Sequence, residues 1–205
     1  MPPLENRLMK EAKQVLFIQG GGEGAFLADK PLAESLRKSL GADYQVHYPA
    51  MPNEDDPNDE MWRAEIRRQL EKIGGDTLLV GHSVGAYVLV RFMVQDRGRS
   101  TLPGVFLIAT PFFGEGGWQA SDLALPEGFA EVLPPAVPIF LYHARDDDVV
   151  PFAHLGLYRQ KIRQATVREL ESGGHQLNND LSIVAADIRR LPYKVANAPM
   201  IARHE

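Results

Sequence analysis

The chain predicts an α/β domain, a three-layer α/β/α sandwich around a mostly parallel sheet of about six strands. Three observations point there. Short apolar runs alternate along the chain with segments of helical periodicity. The runs are apolar throughout rather than every second residue, as expected of strands buried on both faces. Most of them stop abruptly at glycine, proline or histidine, where the loops of such a sheet begin.

The elements follow in order. Val15-Leu16-Phe17-Ile18 reads as a buried strand that ends at Gln19 and three glycines. Leu32 to Leu40 reads as a helix, with Leu32, Leu36 and Leu40 on one face. Tyr44 to Tyr48 reads as a second strand. Asp55 to Asn58 is a polar loop with capping residues for a helix carrying Trp62, Ile66, Leu70 and Ile73, ended by Gly74-Gly75. Thr77-Leu78-Leu79-Val80 is the next strand, and Ala86 through Val94 an apolar helix. Further strands are expected at Val105 to Ala109, Ile139 to Tyr142 and Thr166 to Leu170. Helices are expected at Pro151 to Arg163 and Asn178 to Leu191. No pattern is evident after Pro192. One long connection, 111–138, holds Phe112, Phe113 and Trp118 and reads as a long loop or small lid.

Two hundred and five residues suit one domain, here spanning 1–205. A net charge of −5 without a Lys/Arg cluster argues against a nucleic-acid surface. The absence of cysteine excludes disulfides, thiol nucleophiles and thiolate metal sites. The polar N-terminus, Met1 to Lys13, lacks the apolar core of a signal peptide, and no run is long enough to span a bilayer. A cytoplasmic protein is the expectation; the sequence gives no oligomeric state.

Gly81-His82-Ser83-Val84-Gly85 sits between a strand and a helix. A serine with glycine two positions to either side is the G-x-S-x-G arrangement, a strained turn that pushes the hydroxyl into a cleft. The helix behind it aims free N–H groups at the place where acyl transfer develops negative charge. A Gly-Ser loop that merely turns the chain is the plain alternative, so partners are needed.

Ligand sites of parallel α/β sheets gather beyond the carboxyl ends of the strands. After Ile139 to Tyr142 comes Arg145-Asp146-Asp147-Asp148-Val149-Val150-Pro151. At least one aspartate caps a turn; another can face inward to accept a histidine Nδ1–H, and Asp147 is the choice. After the last strand comes Gly173-Gly174-His175, whose glycines let the loop bend back and bring an imidazole to Ser83. The other histidines fit the chemistry less well: His82 is placed to line the cleft, His143 ends a strand near the acid, and His47, His154 and His204 read as structural or terminal. Two backbone N–H groups are expected to hold an oxyanion: that of Val84, and that of Gly21 in Gln19-Gly20-Gly21-Gly22-Glu23-Gly24, with Gly22 as its neighbour.

These motifs together resemble the α/β-hydrolase fold superfamily, in particular its small single-domain serine hydrolases without a large cap. The resemblance spans Val15 to about Leu191. It implies an esterase- or thioesterase-like enzyme with Ser83 as nucleophile and His175 as base. The acid of that superfamily commonly opens a D-x-x-V-P string, which implies Asp147. Two departures stand out. Gln19-Gly20 replaces the frequent His-Gly, and Ala144 stands three before the acid where glycine is common, which keeps Asp146 open.

Two other readings compete. Gly20-Gly21-Gly22-Glu23-Gly24-Ala25 matches a dinucleotide-binding fingerprint. It lacks the acidic residue expected after the next strand, where Tyr48-Pro49-Ala50 stands, and Pro31 interrupts the segment where the phosphate-binding helix should run. A non-catalytic hydrolase-like binding protein is the second alternative. No metal and no cofactor are expected. The expected partner is a small-molecule acyl substrate, with Gly22, His82, Phe112, Phe113 and Trp118 as candidate binding residues.

Overall fold

The computed structural model describes residues 12–74, 76–96 and 102–192. Most of the polar N-terminal stretch, Gly75, and the tail after Pro192 with His204 lie outside the described residues.

Six strands form one parallel sheet in the order β2-β1-β3-β4-β5-β6. They are β1 (Lys13–Ile18), β2 (Tyr44–His47), β3 (Thr77–His82), β4 (Val105–Ile108), β5 (Ile139–Ala144) and β6 (Thr166–Leu170). The helices are α1 (Ala25–Leu40), α2 (Asp59–Ile73), α3 (Ser83–Gln95), α4 (Ala153–Lys161) and α5 (Ser182–Arg190). The apolar runs divide between two cores. Val15, Phe17, Leu78, Val80, Phe106 and Ile108 face α1 and α5. Leu16, Ile18, Leu79, Val105, Leu107 and Leu141 face α2, α3 and α4. Period-two side-chain direction thus serves both layers from the central strands, the three-layer sandwich expected, while the edge strands β2 and β6 also carry Gln45, Arg168 and Glu169.

The sheet order reverses at β1, whose neighbours are β2 and β3. Ile18 is paired with Gly81, so the two strands end level. The glycine loop after β1 and the serine turn after β3 therefore open side by side at a topological switch point, where open α/β sheets bind ligands. Helix α3 is buried almost all round, from Ser83 through Val94 apart from Val84 and Arg91. Its first turn is thereby held rigidly against the sheet. Helix α2 starts where Asn58 Oδ1 accepts the Met61 N–H at 3.0 Å, with Asp59 and Glu60 in the first turn.

Two helix starts differ from the sequence expectation by four residues or more. Helix α1 begins at Ala25 and runs straight through Pro31. Proline removes the bond to the carbonyl of Leu27, but Pro31 and Leu27 both face solvent, where water can replace it. Pro31 is therefore no argument against a helix after the glycine loop. The last helix begins at Ser182 rather than Asn178, because Leu177, Asn178 and Asn179 have φ of 44°, 53° and 54° and turn the chain the other way.

The 111–138 connection has little regular structure: a bridge between Phe113 and Trp118 and a short 3₁₀ turn, Phe129–Val132. Tyr158 Oη donates to the Pro111 carbonyl at 2.8 Å, and Tyr87 Oη donates to that of Leu123.

Candidate active site

Ser83 has φ of 50°, a left-handed conformation that a side chain resists. The neighbours enforce it. A methyl group at position 85 would overlap the Gln19 carbonyl oxygen and lie 2.7 Å from that of Ile18. One at position 81 would lie 2.7 Å from both the backbone N and Cα of Ala86. Both positions need glycine because strand and helix backbones close on them, not only because the chain turns.

Asp147 is the aspartate that turns inward, its side chain fully buried. Oδ1 accepts the N–H groups of Val149 and Val150, each at 2.9 Å. Oδ2 meets His175 Nδ1 at 2.9 Å and His143 Nε2 at 3.1 Å. Burial works against the charge, but the hydrogen bonds from His143, His175, Val150 and Val149 prevail and hold the carboxyl far below its ordinary range. His143 Nε2 also lies 2.9 Å from the Val150 carbonyl, so that nitrogen, with an acceptor on either side, carries the proton. The contact with Asp147 likewise keeps the proton of His175 on Nδ1 and leaves Nε2 as the basic face.

Asp146 does something else. Its carboxylate accepts the N–H of Gly173 at 3.2 Å and of Gly174 at 2.8 Å, bracing the loop that carries His175. These two bonds hold the exposed Asp146 carboxyl below its ordinary value. Asp148 is exposed. Of the three aspartates, only Asp147 contacts the histidine. Among the described residues, no hydrogen bond within 3.5 Å yet joins the Ser83 hydroxyl to His175. Such contacts commonly tighten only when substrate is bound.

The glycine loop separates its N–H groups by task. Gly20 donates to Asp29 Oδ2 at 2.7 Å, and Gly22 donates to the Glu54 carbonyl at 2.6 Å. Gly21 lies between them, and a methyl group there would sit 3.2 Å from Val84 Cβ. Its N–H has no intramolecular partner among the described residues. Gln19, which replaces the more frequent histidine, is buried; its Nε2 donates to Glu54 Oε2 at 2.5 Å and its Oε1 accepts from Met51 N–H at 3.1 Å. Glu54 Oε2 also accepts the Phe26 N–H at 2.7 Å. Glu54 thus shapes this loop from a distant segment, a role with no local sequence signal.

His82 does not line the cleft. It is 1% exposed, its Nδ1 lies 2.8 Å from Asp29 Oδ2 and its Nε2 lies 3.0 Å from the His175 carbonyl oxygen. Gly22 spends its N–H on Glu54, which removes it as a spare donor. Phe112 is 3% exposed, its ring edge-on to Tyr158. Phe113 packs on Tyr87 and Trp118, and Trp118 on His154. A cavity of about 770 Å³ opens under the 111–138 segment between Phe112, Phe113, Leu125, Phe129 and Lys161; its lining includes neither Ser83 nor His175. Among the described residues, no cluster of three or more His, Cys, Asp or Glu side chains could hold a metal ion. No helix among them is long and apolar enough to cross a membrane.

Comparison with known proteins agrees with this fold. Residues 33–182 match the family described as serine hydrolase. YdeN of Bacillus subtilis (strain 168), a protein named as a candidate hydrolase, is 28% identical over 148 residues, covering 71% of this chain and 77% of YdeN. The crystal structure of the ydeN gene product superposes with a TM-score of 0.64 at 22% identity, covering 87% of this chain and 97% of that one. A serine hydrolase from the polyaromatic-hydrocarbon-degrading bacterium Cycloclasticus zankles superposes with a TM-score of 0.68 at 13% identity, covering 87% and 89%. Est1E from Butyrivibrio proteoclasticus gives 0.64 at 11% identity, covering 90% and 88%. At these identities the structural matches establish the α/β-hydrolase fold alone.

Proposed function

Because the chain belongs to the serine hydrolase family, we propose that it cleaves an ester or related acyl bond of a small molecule through a Ser83–His175–Asp147 triad. The observation that carries this reading is the buried Asp147 carboxylate at 2.9 Å from His175 Nδ1, in loops that open beside a serine of positive φ.

The steps follow from the positions of the donors. Ser83 Oγ attacks the carbonyl carbon while His175 Nε2 takes its proton. The carbonyl oxygen gains negative charge and is held by the N–H groups of Val84 and Gly21. Val84 lies in the first turn of α3, where N–H groups have no helical acceptor. His175 returns the proton to the leaving group as the tetrahedral intermediate collapses to the acyl-enzyme. Water, deprotonated by the same imidazole, then releases the acid and restores Ser83. Asp147 keeps Nε2 free of its proton at the start and stabilises the imidazolium that forms.

The test is hydrolysis of nitrophenyl esters of graded chain length and of acyl thioesters, with Ser83→Ala as the blank. Turnover by the wild type that vanishes in Ser83→Ala supports the proposal and ranks the acyl groups. Absence of turnover across the whole series, together with a folded wild type that resists fluorophosphonate labelling, overturns it in favour of a binding protein.

A further inference from the structure

Asp29 and His82 form a buried pair that the reaction above does not use. Asp29 lies in α1 and is 1% exposed, as is His82 at the end of β3. The Asp29 carboxylate collects donors from three separate segments of the chain. Oδ2 accepts the Gly20 N–H at 2.7 Å and meets His82 Nδ1 at 2.8 Å; Oδ1 accepts Gln176 Nε2 at 2.9 Å. On its far side, His82 Nε2 reaches the His175 carbonyl oxygen at 3.0 Å. The two imidazoles lie 4.7 Å apart between centroids.

Both ring nitrogens of His82 face acceptors, so each position calls for an N–H. Burial opposes the Asp29 charge, yet the bonds from His82, Gly20 and Gln176 lower its carboxyl below the ordinary value. A fully bonded pair of this kind can remain buried at modest cost, whereas removing one member strands the other.

We propose that Asp29 and His82 are positioning residues, a clamp that sets the spacing between the Gly21 loop, the serine turn and the backbone of His175. The proposal rests on the reading of Ser83 and His175 as nucleophile and base. Asp147 fixes the His175 ring at Nδ1 only. The residues before His175, Gly173 and Gly174, have φ of 142° and 59° and give its backbone little stiffness of their own. The His82 bond fixes that backbone from the serine side, and the Asp29–Gln176 bond fixes the next residue. The Asp29–Gly20 bond holds the residue before the proposed oxyanion donor. Displacement of a catalytic group by about 1 Å costs on the order of 100-fold in rate, so the clamp acts on turnover rather than on substrate affinity.

Paired substitutions separate its two arms. His82→Gln places an amide N–H where Nε2 stands and keeps a donor for the His175 carbonyl. His82→Asn keeps a donor for Asp29 and loses the one for His175. Asp29→Asn preserves shape and puts an NH₂ where one carboxylate oxygen accepts from Gly20, His82 or Gln176. With one nitrophenyl ester, kcat is expected to fall roughly 30–100-fold in His82→Asn and about tenfold in Asp29→Asn, with KM within about twofold. His82→Gln should recover most of the His82→Asn loss. Melting curves give the folded fraction of each variant. An active wild type matched in kcat by folded Asp29→Asn and folded His82→Asn overturns the clamp alone. So does activity that merely tracks the folded fraction in all three variants, or His82→Gln no better than His82→Asn. A wild type without Ser83-dependent turnover overturns the parent reading, and the clamp with it.

Discussion

Asp147→Asn replaces one oxygen by an amino group and leaves the side-chain shape unchanged. The oxygen that remains is best placed at Oδ1, where it accepts from Val149 and Val150, each at 2.9 Å. The new NH₂ then stands at Oδ2, against N–H groups arriving from His175 at 2.9 Å and His143 at 3.1 Å. Donors face donors. His143 retains the Val150 carbonyl at 2.9 Å. His175 has no such substitute, and the cheapest repair moves its proton from Nδ1 to Nε2. That nitrogen must be bare to take the proton of Ser83. A loss of about 10³–10⁴-fold in kcat is expected, about 4–5.5 kcal/mol of transition-state stabilisation, with KM little changed. Stability should also fall, by about 1.5–3 kcal/mol for the charge-assisted bonds lost in a fully buried site. The Asp147 carboxyl is held below its ordinary value of 3.8, so its stabilising contribution is complete above that value and is lost only as pH falls toward the folded-state value. The difference in melting temperature between wild type and Asp147→Asn should therefore be flat from neutral to mildly acid pH and narrow only in strong acid. The assay is steady-state kinetics on the best nitrophenyl ester near neutral pH, beside melting curves across that range. Turnover of Asp147→Asn within about tenfold of wild type, with Asp146→Asn inactive, would refute the assignment of the acid.

Three further outcomes are expected. Gly85→Ala drives a methyl group into the Gln19 carbonyl oxygen; stability should drop by about 1–3 kcal/mol or more, and fluorophosphonate labelling should slow because Ser83 moves with the turn. Asp187→Asn breaks a site between α5 and strands β5 and β6, where Asp187 accepts from Tyr142 Oη and from both Arg168 Nε and Arg168 Nη2, all at 2.9 Å. Arg168 is partly exposed, so a loss of about 1–2 kcal/mol at neutral pH is expected, with kcat unchanged. Hydrogen bonding by Arg168 lowers the Asp187 carboxyl, so this loss should fade as pH falls below the ordinary carboxylate range. Exhaustive EDTA treatment should leave ester turnover intact; abolished activity restored by a divalent cation would contradict a mechanism built on the triad alone.

The strands and the proposed triad were legible for one physical reason. A parallel sheet covered on both faces needs uninterrupted apolar runs, and its site residues sit where those runs stop. Ser83 and Asp147 follow such runs within a few residues, and His175 follows the edge strand Thr166–Leu170. The clamp residues do not. Asp29 bonds to His82, 53 positions away, and to Gln176, 147 positions away, so no local window links them. A signal existed nonetheless: Asp29 falls on the buried stripe of α1 with Leu32, Ala33, Leu36 and Leu40, where an unpaired carboxylate would be costly. A helix that starts at Leu32, after Pro31, leaves Asp29 outside that stripe. Gly24 at the helix start, with φ of 76° and no capping side chain, gave no cue to the earlier beginning. Adjacency to Ser83 points His82 toward the cleft. In β3 the residue before the turn points into the protein, and only the fold shows what it meets there.

The proposed chemistry requires Ser83 to be an activated nucleophile. Fluorophosphonate labelling followed by intact-protein mass measurement tests it without a known substrate. One adduct per chain is expected on the folded wild type, mapped to Ser83, and none on folded Ser83→Ala. A folded wild type that takes up no label, or Ser83→Ala that labels at the wild-type rate, would contradict it.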